Sequence, residues 1–186
     1  MYQVCILQKG AGMSEKINNE HSLLHHLSHI VPNMLQLKHQ GHLPEFVLHE
    51  LCGNRCFKLE KAAYFVDNPD FDCLKGVAGY FRDEEYPDND SIWEKPEEFS
   101  THMSKALFNQ QIKSFNRGSV RKDKVDDAVL VKEMAHQFSF KNYNFYSWDM
   151  KNDNHGIFLF ELPQDPSLVD GYLKNGATIL SFCPLF

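Results

Sequence analysis

The densest grouping of side chains able to do chemistry is His49-Glu50-Leu51-Cys52-Gly53-Asn54-Arg55-Cys56, with an imidazole and two thiols in eight residues. His49 and Cys52 lie three apart and share a helix face, while Gly53 and Asn54 allow the chain to turn and return Cys56 toward it. Imidazole with thiolate suits zinc, or iron as a second choice. A structural zinc site has four ligands in two tight pairs, and the second pair is missing. Cys73 is a poor fourth ligand, because the hairpin expected here separates it from Cys56 by about 30 Å at strand rise. The same pair could serve as a nucleophilic or redox thiol with His49 as base. Cys52 falls at a helix C-terminus, however, where the dipole disfavours a thiolate. Buried free cysteines more often act as small hydrophobes.

Seven of the ten histidines fall in the first 50 residues, and His21, His25 and His29 recur every fourth position. Such a pair can chelate zinc or copper. His25 and His29 are therefore further metal candidates, should their helix pack beside His49. Their expected place opposite the leucine stripe makes a polar outer face, or an oligomer contact, the simpler reading. Asp67, Asp70 and Asp72 could hold a divalent cation, but Asn68-Pro69-Asp70 is turn chemistry and reads as a solvated turn. Asp88-Asn89-Asp90 and Asn152-Asp153-Asn154 lack a glycine and distal glutamate at the offsets of a calcium loop. Lys113, Arg117, Arg121, Lys122 and Lys124 are diluted by Asp123, Asp126 and Asp127.

Several function classes are ruled down. The chain has no glycine-rich phosphate loop, no Gly-x-Ser-x-Gly elbow and no His-Glu-x-x-His helix. A formal charge of −6 argues against nucleic acid and anionic membranes. No apolar run approaches the roughly 18 residues of a membrane span. Five irregularly spaced cysteines make a poor disulfide framework. With no signal-like N-terminus, these features place the expectation in the cytoplasm.

The candidates need elements to position them. The pattern predicts a strand over 2–7 and a helix over 20–31 capped by Asn19. Leu23, Leu24, Leu27, Ile30 and Val31 would form one apolar stripe on that helix, and Pro32 would end or kink it. A helix follows over 44–52, then strands over 56–66 and 74–81 and an acidic connector over 83–98. A helix from Pro96 to about Asn116 carries apolar residues on two sides, which suits packing between halves or a dimer interface. Asp126 or Asp127 starts another helix. The aromatic strand 138–148 and the strand 157–162 come next, then a short helix from Asp165 and Pro166 to Gly176, and a last strand over 177–182. The expectation is an α+β fold: antiparallel sheet with helices on one face, in one domain spanning 1–186. Its αββα order suggests two ferredoxin-like halves, 1–118 and 119–186.

Fifteen Phe and seven Tyr cluster in strand-like segments. Phe138, Phe140, Tyr146 and Trp148 share one parity and Tyr143 and Phe145 the other, so both faces of the sheet want cover: helices on one, a ligand or partner on the other. The first functional reading is a non-catalytic domain that binds a small apolar or aromatic ligand, or a protein partner, with a homodimer among the options. The alternatives are a zinc or iron protein using His49, Cys52 and Cys56, and a thiol-dependent enzyme.

Overall fold

The computed structural model describes residues 7–37, 41–87, 92–121, 126–161 and 171–183, with side chains from residue 20 onward. These form helices α1 (Leu7–Gln36), α2 (Leu43–Cys52), α3 (Pro96–Lys105), α4 (Leu107–Lys113), α5 (Asp127–Gln137) and α6 (Tyr172–Ala177). The strands are β1 (Lys61–Asn68), β2 (Cys73–Phe81), β3 (Asn116–Arg117), β4 (Tyr143–Asp149) and β5 (His155–Glu161). The fold is α+β. One antiparallel sheet runs in the order β3-β2-β1-β5-β4.

Helices cover both faces of this sheet rather than one. Ala62, Tyr64 and Val66 of β1, with Phe158 and Phe160 of β5, pack beneath Leu23, Ile30 and Met34 of α1, Leu48 and Leu51 of α2, and Leu173 of α6. Ala63 and Phe65, with Ile157 and Leu159, face Phe108 and Ile112 of α4 and Leu130, Val131 and Met134 of α5. The central strands are therefore unbroken apolar runs, as strands buried on both faces must be. Each large side chain so buried contributes about 1.5–3 kcal/mol. Both helix-hairpin-helix runs exist, but they are not equivalent in placement. The leading helix lies on the first face in one run (α2) and on the second face in the other (α5).

Other differences have local causes. Leu7 opens a helix instead of closing a strand, and α1 continues through Pro32. Ile30 and Met34 are buried on either side of the proline, so packing outweighs the lost hydrogen bond. The first strand of the hairpin starts at Lys61, because the chain after α2 first wraps that helix's C-terminus: Phe57 N donates to Leu51 O and Leu59 N to Cys52 O. The long helix from Pro96 breaks at Ala106 (ψ 116°). Side chains satisfy the backbone groups freed there. Glu84 accepts from Phe108 N at 2.9 Å, and Asn109 donates to Met103 O at 2.9 Å. Gly176 does not stop its helix; a Cβ there would lie 2.9 Å from Leu51 Cδ2, so it is a close-packing position. Residues Thr178–Phe182 continue as a 3₁₀ segment, not a strand. The Asp126 cap is present, its carboxylate accepting from Ala128 N. The expectations for residues 2–6, Asp88–Asp90, Lys122, Lys124, the start of the helix at Asp165 and Pro166, and the tail 184–186 fall outside the described residues.

One irregularity shapes the surface. The β1–β2 register shifts between Tyr64 (opposite Ala78) and Phe65 (opposite Gly76), which leaves Val77 as an extra, bulged residue. On its outer edge β2 pairs with β3 only at Leu74 and Lys75, and along Gly76–Phe81 that edge is sealed by α4 and the residues just after it instead. Gly76 N donates to Phe115 O and Gly79 N to Asn109 Oδ1. A Cβ on Gly76 would stand 1.9 Å from Ile112 O. Only glycine allows the helix this close.

Candidate functional site

The β2 edge, the start of α2 and the end of α4 enclose a cleft of about 890 Å³. Pro44, Val66, Phe71 and Val77 supply its apolar walls, and Lys75, Lys113 and Arg117 its basic rim. The bulge delivers Val77 to this wall. The turn Asn68–Asp72 closes one end, held by Asn68 Oδ1 accepting from Phe71 N at 3.1 Å. At the rim, the Cys73 thiol donates to Asn116 Oδ1 at 3.1 Å.

A pair of charges ties the two helical walls together. Lys113 Nζ donates to Glu45 Oε1 at 2.5 Å, and the His42 ring lies 3.2 Å from the same oxygen. Glu45 is in the first turn of α2 and Lys113 in the last turn of α4, where each helix dipole favours the charge it receives. The Glu45 side chain is only 1% exposed. Burial alone would raise its pKa; the bonds from His42 and Lys113 outweigh that and hold it below the ordinary carboxylate value.

A second polar cluster lies at the hairpin tips. Asp67, His155 and Asp149 stand in one cross-strand row on β1, β5 and β4. His155 Nε2 is 2.9 Å from Asp127 Oδ2 at the start of α5, and its Nδ1 is 3.2 Å from Asp149 Oδ1. Arg121 contacts Asp149, and its guanidinium lies 2.5 Å from His155 Nδ1. Since guanidinium only donates, Nδ1 accepts there and Nε2 carries the proton toward Asp127. Asp67 is fully buried, its Oδ2 accepting from Arg121 N at 2.9 Å. Asp72 accepts from Ser119 N. Asp67 is thus no part of a solvated turn, whereas Asp70 and Asp72 are exposed as that reading expects. Asp67 and Asp72 tie the 118–121 segment to the hairpin. Both ring nitrogens of His155 are engaged within the protein, so the row joins elements and offers no free base.

The residues singled out in the sequence are not assembled as a metal centre. Among the described residues, no group of three or more His, Cys, Asp or Glu is arranged to hold a metal ion. His49 is buried, with Nε2 accepting from Tyr86 N at 3.3 Å and its ring edge-on to Phe99 and Tyr80. Burial, with His102 and Arg55 nearby, holds its pKa down to about 4. Cys52 and Cys56 are buried. Burial pushes the Cys52 thiol well up, and burial with the Glu50 carboxylate pushes Cys56 up to about 12. A raised thiol pKa is the reverse of what a nucleophile needs. His25 and His29 stay on the exposed side of α1, their Nε2 atoms 3.3 Å apart. Cys73 sits at the hairpin tip, paired in register with Asn68. The described members of the basic stretch are paired: Lys113 with Glu45, Arg117 with Glu133, Arg121 with Asp149. No helix among the described residues is long and apolar enough to cross a membrane.

The cleft pair and the His155 row are the features that motif reading passed over. Each left a faint signal. Glu45 interrupts the apolar run Leu43–Leu48, and Asp67 and His155 share parity with the inward-facing Phe65 and Ile157. Comparison with known protein families, curated proteins and solved structures finds no match to this chain.

Proposed function

We propose that this protein binds a small molecule with an apolar body in the cleft between α2, β2 and α4, without performing chemistry on it. The observation that carries this reading is the cleft's own make-up. Its volume of about 890 Å³ falls in the range of small-molecule sites. Its walls combine Pro44, Val66, Phe71 and Val77 with a few convergent polar groups. Helices pack on both faces of the aromatic sheet, which leaves this cleft at its edge as a place for a ligand. The thiol-enzyme alternative gains nothing from cysteines whose pKa burial has raised. Four free cysteines among the described residues support a reducing compartment, and with it the cytoplasm.

The test uses anilinonaphthalene sulfonate, an aromatic anion whose fluorescence rises in apolar sites. The parent chain should bind it saturably at one site, with near-ultraviolet circular dichroism unchanged. The Val77→Trp variant fills the cleft from the bulge and should lose that binding at an unchanged unfolding temperature. Saturable binding that survives Val77→Trp, or none in the parent, overturns the reading.

A further inference from the structure

The apolar residues of α1 do not form one stripe. Leu23, Ile30 and Met34 are buried, with Leu27 packed beside them. Leu24 and Val31 are 47% and 43% exposed, and Leu35 is 66% exposed. At about 100° per residue, Leu24, Ser28, Val31 and Leu35 form a second line roughly a quarter-turn round the helix from the buried one. Their spacing is 4-3-4, the heptad spacing of a helix that packs on another helix. Among the described helices, none rests on this line.

Two properties select the occupant. First, the spacing is palindromic. An antiparallel copy paired about a point between residues 29 and 30 sets Leu24 against the other Leu35, and Ser28 against the other Val31, twice over. That is the self-complementarity an isologous two-fold contact demands. The small Ser28 beside the axis lets the backbones approach. Second, residues 20–36 contain one formally charged residue, Glu20, although 24% of the whole chain is charged. A two-fold contact sets a patch against itself, so a charged patch would repel its own copy, and loss of charge marks the core of an interface. The stripe spans about 16 Å at helical rise, enough for two heptad layers on each side.

We propose that this flank of α1 is the interface with a second copy of the same chain, the two helices running antiparallel about residues 29 and 30. The proposal does not depend on the ligand reading, since the cleft lies at the β2 edge.

Sedimentation equilibrium of the full chain in the ten- to hundred-micromolar range tests it. The parent should move toward twice its 21.6 kDa. The Leu24→Glu/Leu35→Glu variant should stay at the single-chain mass, with unchanged circular dichroism and, at concentrations where the parent is also monomeric, an unchanged unfolding temperature, because both positions are solvent-exposed in the monomer. For the direction, Leu24→Cys and Leu35→Cys chains, each with Cys5 and Cys73 replaced by serine, are oxidised separately and mixed. Disulfide dimers should form chiefly in the mixture. A monomeric parent, a dimer that survives both glutamates, or efficient cross-linking of Leu24→Cys alone would each overturn the proposal. A partner of another sequence covering this flank would show as the first of these.

Discussion

Replacing Lys113 by methionine should invert the pH dependence of stability. In the parent, Glu45 is ionised inside the protein because Lys113 and His42 hold it so, and its folded pKa lies below the ordinary value. The pair's contribution is therefore complete above about pH 4.3, the ordinary glutamate pKa, and is lost as pH falls through the lower folded value. In Lys113→Met the Glu45 carboxyl keeps its burial and loses its main counter-charge. Burial then dominates and drives its pKa up. The folded variant takes up a proton that the unfolded chain lacks, so its stability rises as pH falls from 7 toward 5, while the parent's does not. Removing one partner of a buried pair costs about 3–5 kcal/mol. Lys113 is itself 39% exposed and His42 remains, so screening by solvent brings the expected loss at pH 7 to about 2–3 kcal/mol. For a chain of this size that is roughly 5–10 °C in unfolding temperature. Urea denaturation at pH 7 and pH 5 reads both quantities. Adding Glu45→Gln removes the stranded charge and should recover most of the loss at pH 7. A loss under about 1 kcal/mol at pH 7, or a variant that weakens further at pH 5, would refute the argument that a buried carboxylate depends on this ammonium.

Three further outcomes are expected. Gly76→Ala should destabilise the protein by about 1–3 kcal/mol, because its Cβ would meet Ile112 O at 1.9 Å and α4 must retreat; Gly118→Ala, with its nearest neighbour at 3.8 Å, is the control in the same urea titration. In a Cys5→Ser chain, an aromatic disulfide reagent should modify Cys73 in the native state, whereas Cys52, Cys56 and Cys183, buried and pushed up in pKa, should react only at the rate of unfolding; rapid native reaction of Cys52 or Cys56 would revive the thiol-enzyme reading. Lys61→Leu should cost on the order of 1 kcal/mol by calorimetry, since its ammonium donates to Phe138 O at 2.7 Å and sits 4.5 Å from the Phe108 ring centroid and 5.1 Å from that of Phe140.

The hairpins and α2 were legible because their signals are local. Turn residues bracket Asp67–Asp72 and Lys151–Asn154, and Pro44 and Gly53 bracket a short apolar run. Three misreadings come from tertiary contacts that act at single residues. Pro32 is spanned because Ile30 and Met34 are anchored, and Gly176 is a contact because Leu51 is there. The break at Ala106 holds because Glu84 and Asn109 bond the freed groups, and Glu84 lies 24 residues from the Phe108 amide it caps. Periodicity has no access to such partners.

The same asymmetry explains the candidate sites. Motif reading weights residues by their chemistry at close spacing, and so it chose His49, Cys52 and Cys56. Helix spacing put His49 and Cys52 on one face at the end of α2, but it said nothing of depth, and all three residues are buried. The Glu45–Lys113 pair spans 68 residues, and His155 and Asp127 are 28 apart. Neither pairing has a sequence pattern. What the sequence did hold was parity and phase. Asp67 and His155 fall on inward positions of strands that are otherwise apolar, where a charged residue is retained only with a partner. Leu24, Val31 and Leu35 fall a quarter-turn out of phase with the buried line on α1. A polar residue in phase with the core points to an internal pair, and an apolar residue out of phase points to an external contact.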